Sequence, residues 1–269
     1  MSLPDHARPL DTRLPEMLRS GKRLRGVFNG IPSPALVEMC AFAGFDFVVI
    51  DNEHGSAGIE TTEHMLRAAR ASNLPALVRC LEHDIARTLD IGAAGLQIPM
   101  VNTAAQAAAL VQRVKYPLPA GAHGIGGQRG SAFSSRAAGY GAFGGPAHTQ
   151  RSNDGTVLVV MIETPEAVSN AAAIAAVEGV DAVFIGPNDL AHSMGFANRW
   201  HEAPVQAAIE QALRAVAGAG KCPGILALTP ADEDIYAAWG ARYFATVSTG
   251  IITRALQEAA QGGRAPLTY

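Results

Sequence analysis

Cysteine is scarce in this sequence, and the few cysteines present exclude two kinds of covalent or metal framework. Cys40, Cys80 and Cys222 are the three cysteines of the 269-residue chain, and they are isolated from one another. An odd number at such spacing argues against a disulfide framework and against a cysteine-based zinc site. The sequence also lacks a G-x-S-x-G nucleophile elbow and a convincing cysteine–histidine pair, so nucleophilic catalysis is disfavoured.

Long apolar runs, targeting signals and basic stripes are lacking as well. No stretch approaches the roughly 18 apolar residues that a membrane helix needs. The N-terminal extension, about residues 1–12, is polar and interrupted by prolines, unlike a signal peptide. The net charge of −3 gives no indication of binding to nucleic acid or to an anionic membrane. We therefore expect a cytoplasmic protein whose partners are small molecules.

No lysine is placed for Schiff-base chemistry. Lys22, Lys115 and Lys221 all lie in polar connections, although Lys221 shortly precedes an apolar run. This placement disfavours enzymes that act through a covalent lysine adduct. The glycine-rich stretch Gly124–Gly127 is not a dinucleotide fingerprint either, because no strand–turn–helix unit with a downstream acidic residue surrounds it.

Eight short apolar runs alternate with longer amphipathic stretches. Near-continuous apolar runs are typical of strands that are buried on both faces of a parallel sheet. The alternation indicates an α/β fold, and eight units favour a closed barrel over an open doubly wound sheet. Single barrels commonly have about 250 residues, so we predict one (β/α)8 TIM barrel domain over residues 1–269. The predicted strands are Gly26–Asn29, Phe47–Asp51, Ala76–Arg79, Gly95–Pro99, Val157–Glu163, Ala182–Gly186, Gly224–Leu228 and Tyr243–Val247.

Helices are predicted between most of these strands, and one of them begins at Pro165 with Thr164 as its N-cap. The long segment 116–152 departs from the pattern, because it is rich in glycine, serine and alanine and exceeds ordinary loop lengths. It follows the fourth strand, so we expect it to overhang the catalytic mouth as a flexible insertion, a lid or an oligomer contact. The predicted helices are Pro34–Ala43, Thr61–Ser72, Ile85–Ile91, Ala104–Val114, Pro165–Ala175, Ala203–Ala219 and Ala231–Trp239.

Polar side chains occur at or near the ends of five of the predicted strands. The carboxyl ends of barrel strands carry the active site in enzymes of this fold. Here they deliver two carboxylates, a histidine, an arginine and an amide to one rim. These residues are Glu163, Asp189, His54, Arg79 and Gln97. Their convergence is the strongest physical indication of function in the sequence.

The two carboxylates at this rim predict a metal site. Glu163 and Asp189 follow successive strands, which are neighbours in a barrel. Their charges repel unless a cation or a shared proton lies between them. A hard divalent ion fits such oxygen ligands best, which predicts Mg²⁺ or Mn²⁺, with Co²⁺ as an alternative. The competing interpretation is that each carboxylate only caps the helix that follows it.

The histidine and the arginine each have two interpretations. His54 directly follows the second strand, beside Asp51 and Glu53, which favours a role in proton transfer over a structural one. Arg79 ends an apolar strand, where a buried guanidinium needs an anionic partner. That partner is a substrate carboxylate or keto oxygen, or else a neighbouring glutamate.

Five segments carry motifs that are specific enough to indicate a family. They read VVIDNEHG, ALVR, LDIGAAGLQIPMVNTAAQA, VVMIETPEAV and GVDAVFIGPNDLAHSMG. These segments resemble the HpcH/HpaI aldolases, the class II pyruvate aldolases. The resemblance runs from about Arg25 to Leu256, which is nearly the whole chain.

The resemblance implies an activity and an assembly. Members of this family are (β/α)8 barrels, typically homohexamers, that reversibly cleave 4-hydroxy-2-oxo acids to an aldehyde and pyruvate or a related 2-oxo acid. By this resemblance Glu163 and Asp189 would hold the divalent metal, and Arg79 would bind the keto oxygen and stabilise the enolate. A metal that is chelated by the substrate stabilises such an enolate without a lysine.

The resemblance also implies roles for the remaining candidates. Backbone N–H groups around Gly186, Asn188 and Asp189 would receive the substrate carboxylate. His54 would move protons through metal-bound water and would be oriented by Asp90. Asp51 would support the same network of water molecules.

The chain departs from the family pattern mainly on the aldehyde side of the site. Met161 stands where many relatives have glutamine, and Phe28 stands where an aromatic residue, commonly tryptophan, is found. Relatives have G-x-R-G near the start of the long loop, where Gly121–Gly124 reads G-A-H-G. Leu226 is a further candidate for the aldehyde pocket. We expect acceptor choice to depend on these positions.

Three other functions compete with an aldolase on this scaffold. One is an acyl-CoA lyase of the citrate-lyase β type, which is disfavoured because no basic groove for the phosphates of CoA is evident. Another is an oxaloacetate-type decarboxylase or an enolising isomerase, which needs only the enolate half of the machinery. The last is a non-catalytic barrel, which is disfavoured because every expected residue of the site is present.

Overall fold

The computed structural model describes residues 8–262 and shows a closed barrel of eight parallel strands. Each strand pairs with the next along the chain, and the eighth pairs with the first. The prediction of a single (β/α)8 barrel is thereby confirmed. The strands are β1 Leu24–Asn29, β2 Phe47–Asp51, β3 Ala76–Arg79, β4 Gly95–Ile98, β5 Val157–Ile162, β6 Ala182–Ile185, β7 Cys222–Leu226 and β8 Tyr243–Val247.

The helices surround the barrel, and six of the seven predicted ones are found within a few residues of the expected bounds. The helix predicted over Pro165–Ala175 is divided into two at Asn170. The predicted N-cap is also confirmed, since the Thr164 hydroxyl accepts a hydrogen bond from the Ala167 N–H at 3.1 Å. Helices α1, α6, α9 and α12 were not predicted. In chain order the helices are α1 Leu14–Arg19, α2 Pro34–Phe42, α3 Ile59–Ala71, α4 Ile85–Asp90, α5 Ala104–Val114, α6 Pro146–Gly155, α7 Pro165–Ser169, α8 Ala171–Ala175, α9 Pro187–Ser193, α10 Ala203–Gly218, α11 Pro230–Ala238 and α12 Ser248–Ala260. Among residues 8–262, none of these helices is both long and apolar enough to span a membrane.

Two apolar cores explain why the strand sequences are almost continuously apolar. Alternate strand residues face the barrel interior or the helices. The interior core includes Phe47 and Tyr243, whose rings stack with centroids 4.4 Å apart. A Cβ at Gly26 would lie 2.0 Å from the Phe47 ring, so the close packing of this layer requires glycine there. The second, larger core lies between the sheet and the helices.

The same alternation brings polar residues to the inner side of the barrel mouth. Phe47, Val49 and Asp51 share one parity in β2, and Asp51 is in register with Arg79 at the end of β3. The inward positions are therefore apolar through the barrel and become charged where the strands end. Glu163 lies one residue beyond β5, and it continues the series of alternate residues in that strand whose side chains face the barrel interior.

Segment 116–152 is packed against the side of the barrel. It contains the 3-10 helix Gly139–Gly141 and the start of α6. The Tyr140 hydroxyl accepts a hydrogen bond from Arg67 of α3, and the Arg136 guanidinium donates to the Ile91 carbonyl at 2.5 Å. No residue of this segment lines the cavity at the mouth. The expectation that it overhangs the mouth of its own barrel is therefore wrong.

Arg129 is the main anchor of this segment. Its side chain is 1% exposed, and its Nη2 donates to the Asp90 carboxylate at 2.8 Å. The guanidinium also lies 4.3 Å above the centre of the Tyr116 ring. The sequence around it, Gly127–Gly130, reads G-Q-R-G. The G-x-R-G pattern of the relatives is thus present, but it begins six residues later than Gly121, where it was expected. The extra residues of this chain come before the pattern.

The Arg129–Asp90 pair gives a prediction about stability. We expect Arg129→Ala to lower the free energy of unfolding by about 2–4 kcal/mol, because it leaves part-buried Asp90 without its cation and removes buried packing. Chemical denaturation followed by circular dichroism measures this change. Arg113→Ala is the matched control, since Arg113 forms an exposed pair with Glu82. Equal effects of the two substitutions would contradict an anchoring role for Arg129.

The N-terminal extension falls only partly within the described residues. Residues 1–7 lie outside them, whereas residues 8–12 contact the barrel's outer layer. The Arg8 carbonyl accepts a hydrogen bond from Arg70 at 2.8 Å, and the buried Asp11 carboxylate is 3.0 Å from the same arginine. This part of the extension is therefore packed against α3.

Candidate active site

A cavity of about 150 Å³ opens at the carboxyl ends of the strands. Its wall contains both apolar and polar side chains, and most of the residues predicted for the site contribute to it. The wall residues are Phe28, Asp51, His54, Arg79, Met161, Phe184, Gly186, Pro187, Asn188, Asp189, Leu226 and Val247. The structure therefore brings together side chains from strands that are far apart in sequence.

Arg79 is held rigidly at the floor of this cavity. Its Nε and Nη2 donate to the two Asp51 carboxylate oxygens at 2.8 and 2.5 Å, which is a bidentate pair. Its Nη1 lies 3.3 Å from the Glu53 carboxylate, and its guanidinium carbon lies 4.9 Å from the centre of the Phe28 ring. A guanidinium has five N–H donors, so donors remain for a substrate oxygen.

Asp51 fixes both the arginine and the loop that carries the histidine. Besides the two bonds from Arg79, its Oδ1 accepts the backbone N–H groups of Glu53 and His54 at 3.2 and 3.3 Å. Burial would raise the pKa of Asp51, but the hydrogen bonds and charge of Arg79 outweigh it and hold the pKa below its ordinary value. Asp51 therefore remains an anion and contacts the backbone of His54, not its imidazole.

Glu163 is almost fully buried beside the cavity. Its Oε2 accepts the Met100 N–H at 2.7 Å, and Met100 adopts a left-handed conformation with φ of 59°. A Cβ at Gly186 would lie 2.7 Å from Glu163 Oε1, so only glycine leaves room for this carboxylate. Burial, together with the charges of Asp189 and Glu53, raises the pKa of Glu163 to about 7, despite the Met100 hydrogen bond and the Arg79 charge.

The helix-capping interpretation of the two carboxylates fails. The cap of α7 is Thr164, not Glu163. The N-cap of α9 is Gly186, and no side chain caps this helix. Asp189 instead lies in the first turn of α9, on the cavity wall.

The donor set around Glu163 fits a hard divalent cation. Glu163 and Asp189 present carboxylate oxygens, and the buried Glu53 Oε2 nearby has no hydrogen bond, although it lies 3.3 Å from Arg79 Nη1. A buried carboxyl with a pKa near 7 lacks a compensating charge that a cation would supply. No group of three or more His, Cys, Asp or Glu side chains in residues 8–262 is spaced to hold a metal ion. Two carboxylates with water and substrate oxygens are nevertheless typical of Mg²⁺.

His54 stands at the mouth with an exposed imidazole. Its side chain is 63% exposed, and its nearest ionic neighbour is the Glu53 carboxylate, 3.8 Å from Nε2. The backbone hydrogen bond to Asp51 orients the loop but leaves the ring free to meet a substrate. Glu53 therefore lies between His54 and Arg79. Glu53 was not predicted as a site residue, although its position two residues after Asp51 indicates that it lies at the same rim.

Two predicted site residues lie away from the cavity. Asp90 ends α4 at the opposite end of the barrel, where it pairs with Arg129, so within this chain it does not orient His54. Gln97 is fully buried in the barrel interior, where its Oε1 accepts a hydrogen bond from the Tyr243 hydroxyl at 3.0 Å. Within this chain both side chains make structural contacts, and their roles in the reaction stay predictions.

The other residues that were predicted to bind the substrate all line the cavity. Phe28 and Leu226 contribute apolar side chains to the cavity wall, and Asn188 and Asp189 contribute polar ones. Gly186 also lines the cavity, but its N–H already donates to the Ile162 carbonyl at 3.0 Å. Only the N–H groups of Asn188 and Asp189, in the first turn of α9, are therefore free by geometry to meet a carboxylate.

Comparison with known proteins places the chain in a family. The HpcH/HpaI aldolase/citrate lyase family model matches residues 25–254. A hydroxypyruvate/pyruvate aldolase of Delftia acidovorans is 39% identical over 246 residues, which cover 90% of this chain and 87% of the relative. A 4-hydroxy-2-oxo-heptane-1,7-dioate aldolase of Salmonella dublin is 38% identical over 243 residues, which cover 89% of each chain.

A solved structure agrees with these sequence matches. An HpcH/HpaI aldolase/citrate lyase family protein from Burkholderia cenocepacia superposes with a TM-score of 0.86 and is 31% identical. The alignment covers 94% of this chain and 99% of that one. The resemblance drawn from the sequence motifs is confirmed: the chain is a carbon–carbon lyase that belongs to the HpcH/HpaI aldolase/citrate lyase family.

Proposed function

We propose that this protein is a divalent-metal-dependent aldolase that reversibly cleaves a 4-hydroxy-2-oxo acid to pyruvate, or a related 2-oxo acid, and an aldehyde. The observation that carries the proposal is a cavity that is lined by the fixed guanidinium of Arg79 and by Asp189, with the buried uncompensated carboxylate of Glu163 directly behind Gly186 in its wall. The names of the relatives, a hydroxypyruvate/pyruvate aldolase and a 4-hydroxy-2-oxo-heptane-1,7-dioate aldolase, support the same chemistry.

The metal-binding residues in this proposal are Glu163 and Asp189. Bound there, a divalent ion such as Mg²⁺ or Mn²⁺, or Co²⁺ in their place, would supply positive charge to the developing enolate. Gly186 leaves the space that the Glu163 carboxylate occupies, and Met100 holds one of its oxygens. The carboxylate is thus oriented before any ion arrives, which favours binding.

Arg79 is assigned to the keto oxygen of the substrate. Its position is fixed by two bonds to Asp51 and by the Phe28 ring, so little reorganisation accompanies the reaction. Preorganised donors of this kind stabilise charge that develops in the transition state. The substrate carboxylate would be received by the N–H groups of Asn188 and Asp189.

His54 is assigned to the proton of the C4 hydroxyl. In cleavage the hydroxyl loses its proton to the imidazole, the C3–C4 bond breaks, and its electron pair becomes the C2–C3 double bond of the enolate as the aldehyde leaves. The enolate carbon C3 then takes up a proton to give the 2-oxo acid. Aldol addition is the reverse of these steps.

Exchange of the methyl protons of pyruvate in deuterated buffer tests this proposal, because it needs the enolate but no aldehyde. We expect exchange with Mg²⁺ or Mn²⁺ and its loss with EDTA, followed by NMR. Absence of exchange under all metals would refute the metal–enolate assignment. Exchange without aldol product from any aldehyde would favour a decarboxylase or isomerase on the same barrel.

Substitution of His54 gives a second prediction. We expect His54→Ala to lower kcat/KM for aldol cleavage by roughly 10²–10⁴-fold, the usual contribution of general acid–base catalysis. His83→Ala is the matched control, because His83 is also exposed after a barrel strand but does not line the cavity. A full-rate His54→Ala enzyme would assign this residue to structure.

We also propose a homo-oligomer, a hexamer by family resemblance. Several large apolar side chains on α2 and α12 are exposed in the single chain, including Phe42 at 79% and Leu256 at 64%. Exposed apolar patches of this kind mark association surfaces. Light scattering after size exclusion measures the mass, and a monomer would contradict the proposal. Cytoplasmic location stays a prediction.

A further inference from the structure

We propose that the aldehyde accepted by this enzyme is uncharged and apolar beyond its carbonyl group, and that aldehydes with a second carboxylate are discriminated against. This inference rests on the proposed aldolase function and concerns the half of the cavity that the 2-oxo acid does not occupy.

The aliphatic and aromatic side chains in the cavity wall are those of Phe28, Met161, Phe184, Leu226 and Val247. Because the polar lining residues are assigned to the metal, the 2-oxo acid and the C4 hydroxyl, these apolar side chains remain for the rest of the aldehyde. Phe28 and Phe184 pack edge to face with ring centroids 5.5 Å apart, so this wall is preformed. Met161 lies at the mouth with an inward orientation, and its thioether offers no hydrogen bond of useful strength. The wall therefore gains from burying hydrocarbon and offers little to a charged group.

Arg79 is the one lysine or arginine among the residues that line the cavity. Three other arginines near this end of the barrel, Arg87, Arg113 and Arg199, lie beside acidic side chains and do not line it. Within the described residues, a distal carboxylate on the aldehyde would therefore meet no cationic side chain on the cavity wall other than Arg79.

Arg79, the one arginine that lines the cavity, lies beside two carboxylates, and its remaining donors are assigned to the keto oxygen of the 2-oxo acid. Arg79 bonds to Asp51 and lies 3.3 Å from Glu53. Glu82 and Asp84 on the same rim are balanced by Arg113 and Arg87, whereas the charges of Asp51 and Glu53 together exceed the single charge of Arg79. A second carboxylate on the acceptor would be repelled by these groups and would lose solvation against the apolar wall.

This charge distribution separates the two activities named for the relatives. The aldehyde released from a 4-hydroxy-2-oxo-heptane-1,7-dioate carries a carboxylate at its far end, whereas the acceptors of a pyruvate aldolase need not. The cavity of this chain suits the second kind, and its apolar wall selects an aldehyde with a short hydrocarbon tail.

A matched pair of acceptors tests the inference with the metal-loaded enzyme. Butanal and succinic semialdehyde have the same four-carbon length and differ by a terminal carboxylate. We expect kcat/KM for aldol addition of pyruvate to be more than about tenfold higher with butanal. Equal or higher kcat/KM with succinic semialdehyde would overturn the inference. Pyruvate exchange, measured in the same samples without aldehyde, reports separately on the proposed aldolase function.

Substitutions at Leu226 test the physical cause. We expect Leu226→Arg to move the ratio of the two kcat/KM values by about tenfold toward succinic semialdehyde, because it supplies the missing cation. Leu226→Gln is the matched control, since it adds polarity without charge, and we expect it to leave that ratio within about threefold. If both variants shift the ratio equally, or if neither does, the charge argument is wrong.

Discussion

Replacement of Arg79 by alanine is expected to lower kcat/KM for aldol cleavage by about 10²–10³-fold, and to slow pyruvate exchange to a similar extent. Removal of one preorganised donor to a developing oxyanion has this magnitude in other enzymes. Both reactions pass through the enolate, so both need the guanidinium. Steady-state kinetics and NMR exchange measure the two losses.

The conservative variant shows whether geometry or charge matters. Arg79→Lys retains the positive charge, but an ammonium cannot bind Asp51 through two parallel bonds and still donate to a substrate oxygen. We therefore expect a loss close to that of Arg79→Ala, with less effect on stability because Asp51 keeps a cation. Arg87→Ala, on the exposed side of α4, is the control. A near-normal kcat/KM for Arg79→Ala would refute the enolate assignment.

The location of this arginine could be predicted because strand periodicity is a local property. Each strand shows a short apolar run, and the carboxyl ends of parallel strands meet at one rim, so Asp51, Arg79 and Glu163 could be brought together without knowledge of any contact. The bidentate Arg79–Asp51 pair was not predicted. It depends on the register of β2 against β3, which the sequence does not state directly.

Segment 116–152 could not be placed from the sequence, because its stability comes from contacts that are remote along the chain. Arg129 reaches back to Asp90, and the Lys115 ammonium donates to the carbonyls of Asn153 and Thr156. Such contacts leave no periodic pattern. The contact between Arg129 and Asp90 could not be predicted for the same reason, whereas the role of Asp90 toward His54 that the resemblance implies stays a prediction.

Replacement of Glu163 by glutamine is expected to have two effects of opposite sign. The variant should lose aldol activity by about 10³-fold or more, because the several kcal/mol that a metal contributes to the transition state correspond to that factor. The metal-free variant should nevertheless be more stable than the metal-free wild type at pH 8. If Glu163 only supported the fold, the substitution would lower both the aldol activity and the stability of the metal-free protein.

The gain in stability follows from the pKa of Glu163. The folded value of about 7 lies above the ordinary value of 4.5, so the protonated form favours the fold at low pH and this contribution is lost as the pH rises through 7. At pH 8 the ionised group costs about 3 kcal/mol of folding free energy. Glutamine keeps an oxygen for the Met100 N–H but carries no charge, so it avoids this cost. The difference between the two proteins should shrink toward pH 5.

Metal binding completes the test, because the ion must displace the proton of Glu163 below pH 7. We expect Mn²⁺ to raise the Tm of the wild type more at pH 8 than at pH 6, and to leave the Tm of Glu163→Gln nearly unchanged. Glu166→Gln, an exposed substitution in α7, is the control and should behave as the wild type. A Glu163→Gln protein that still responds to Mn²⁺, or that is destabilised without metal at pH 8, would show that this carboxylate does not bind the ion. Asp189 and Glu53 would then be the carboxylates left to bind the metal ion.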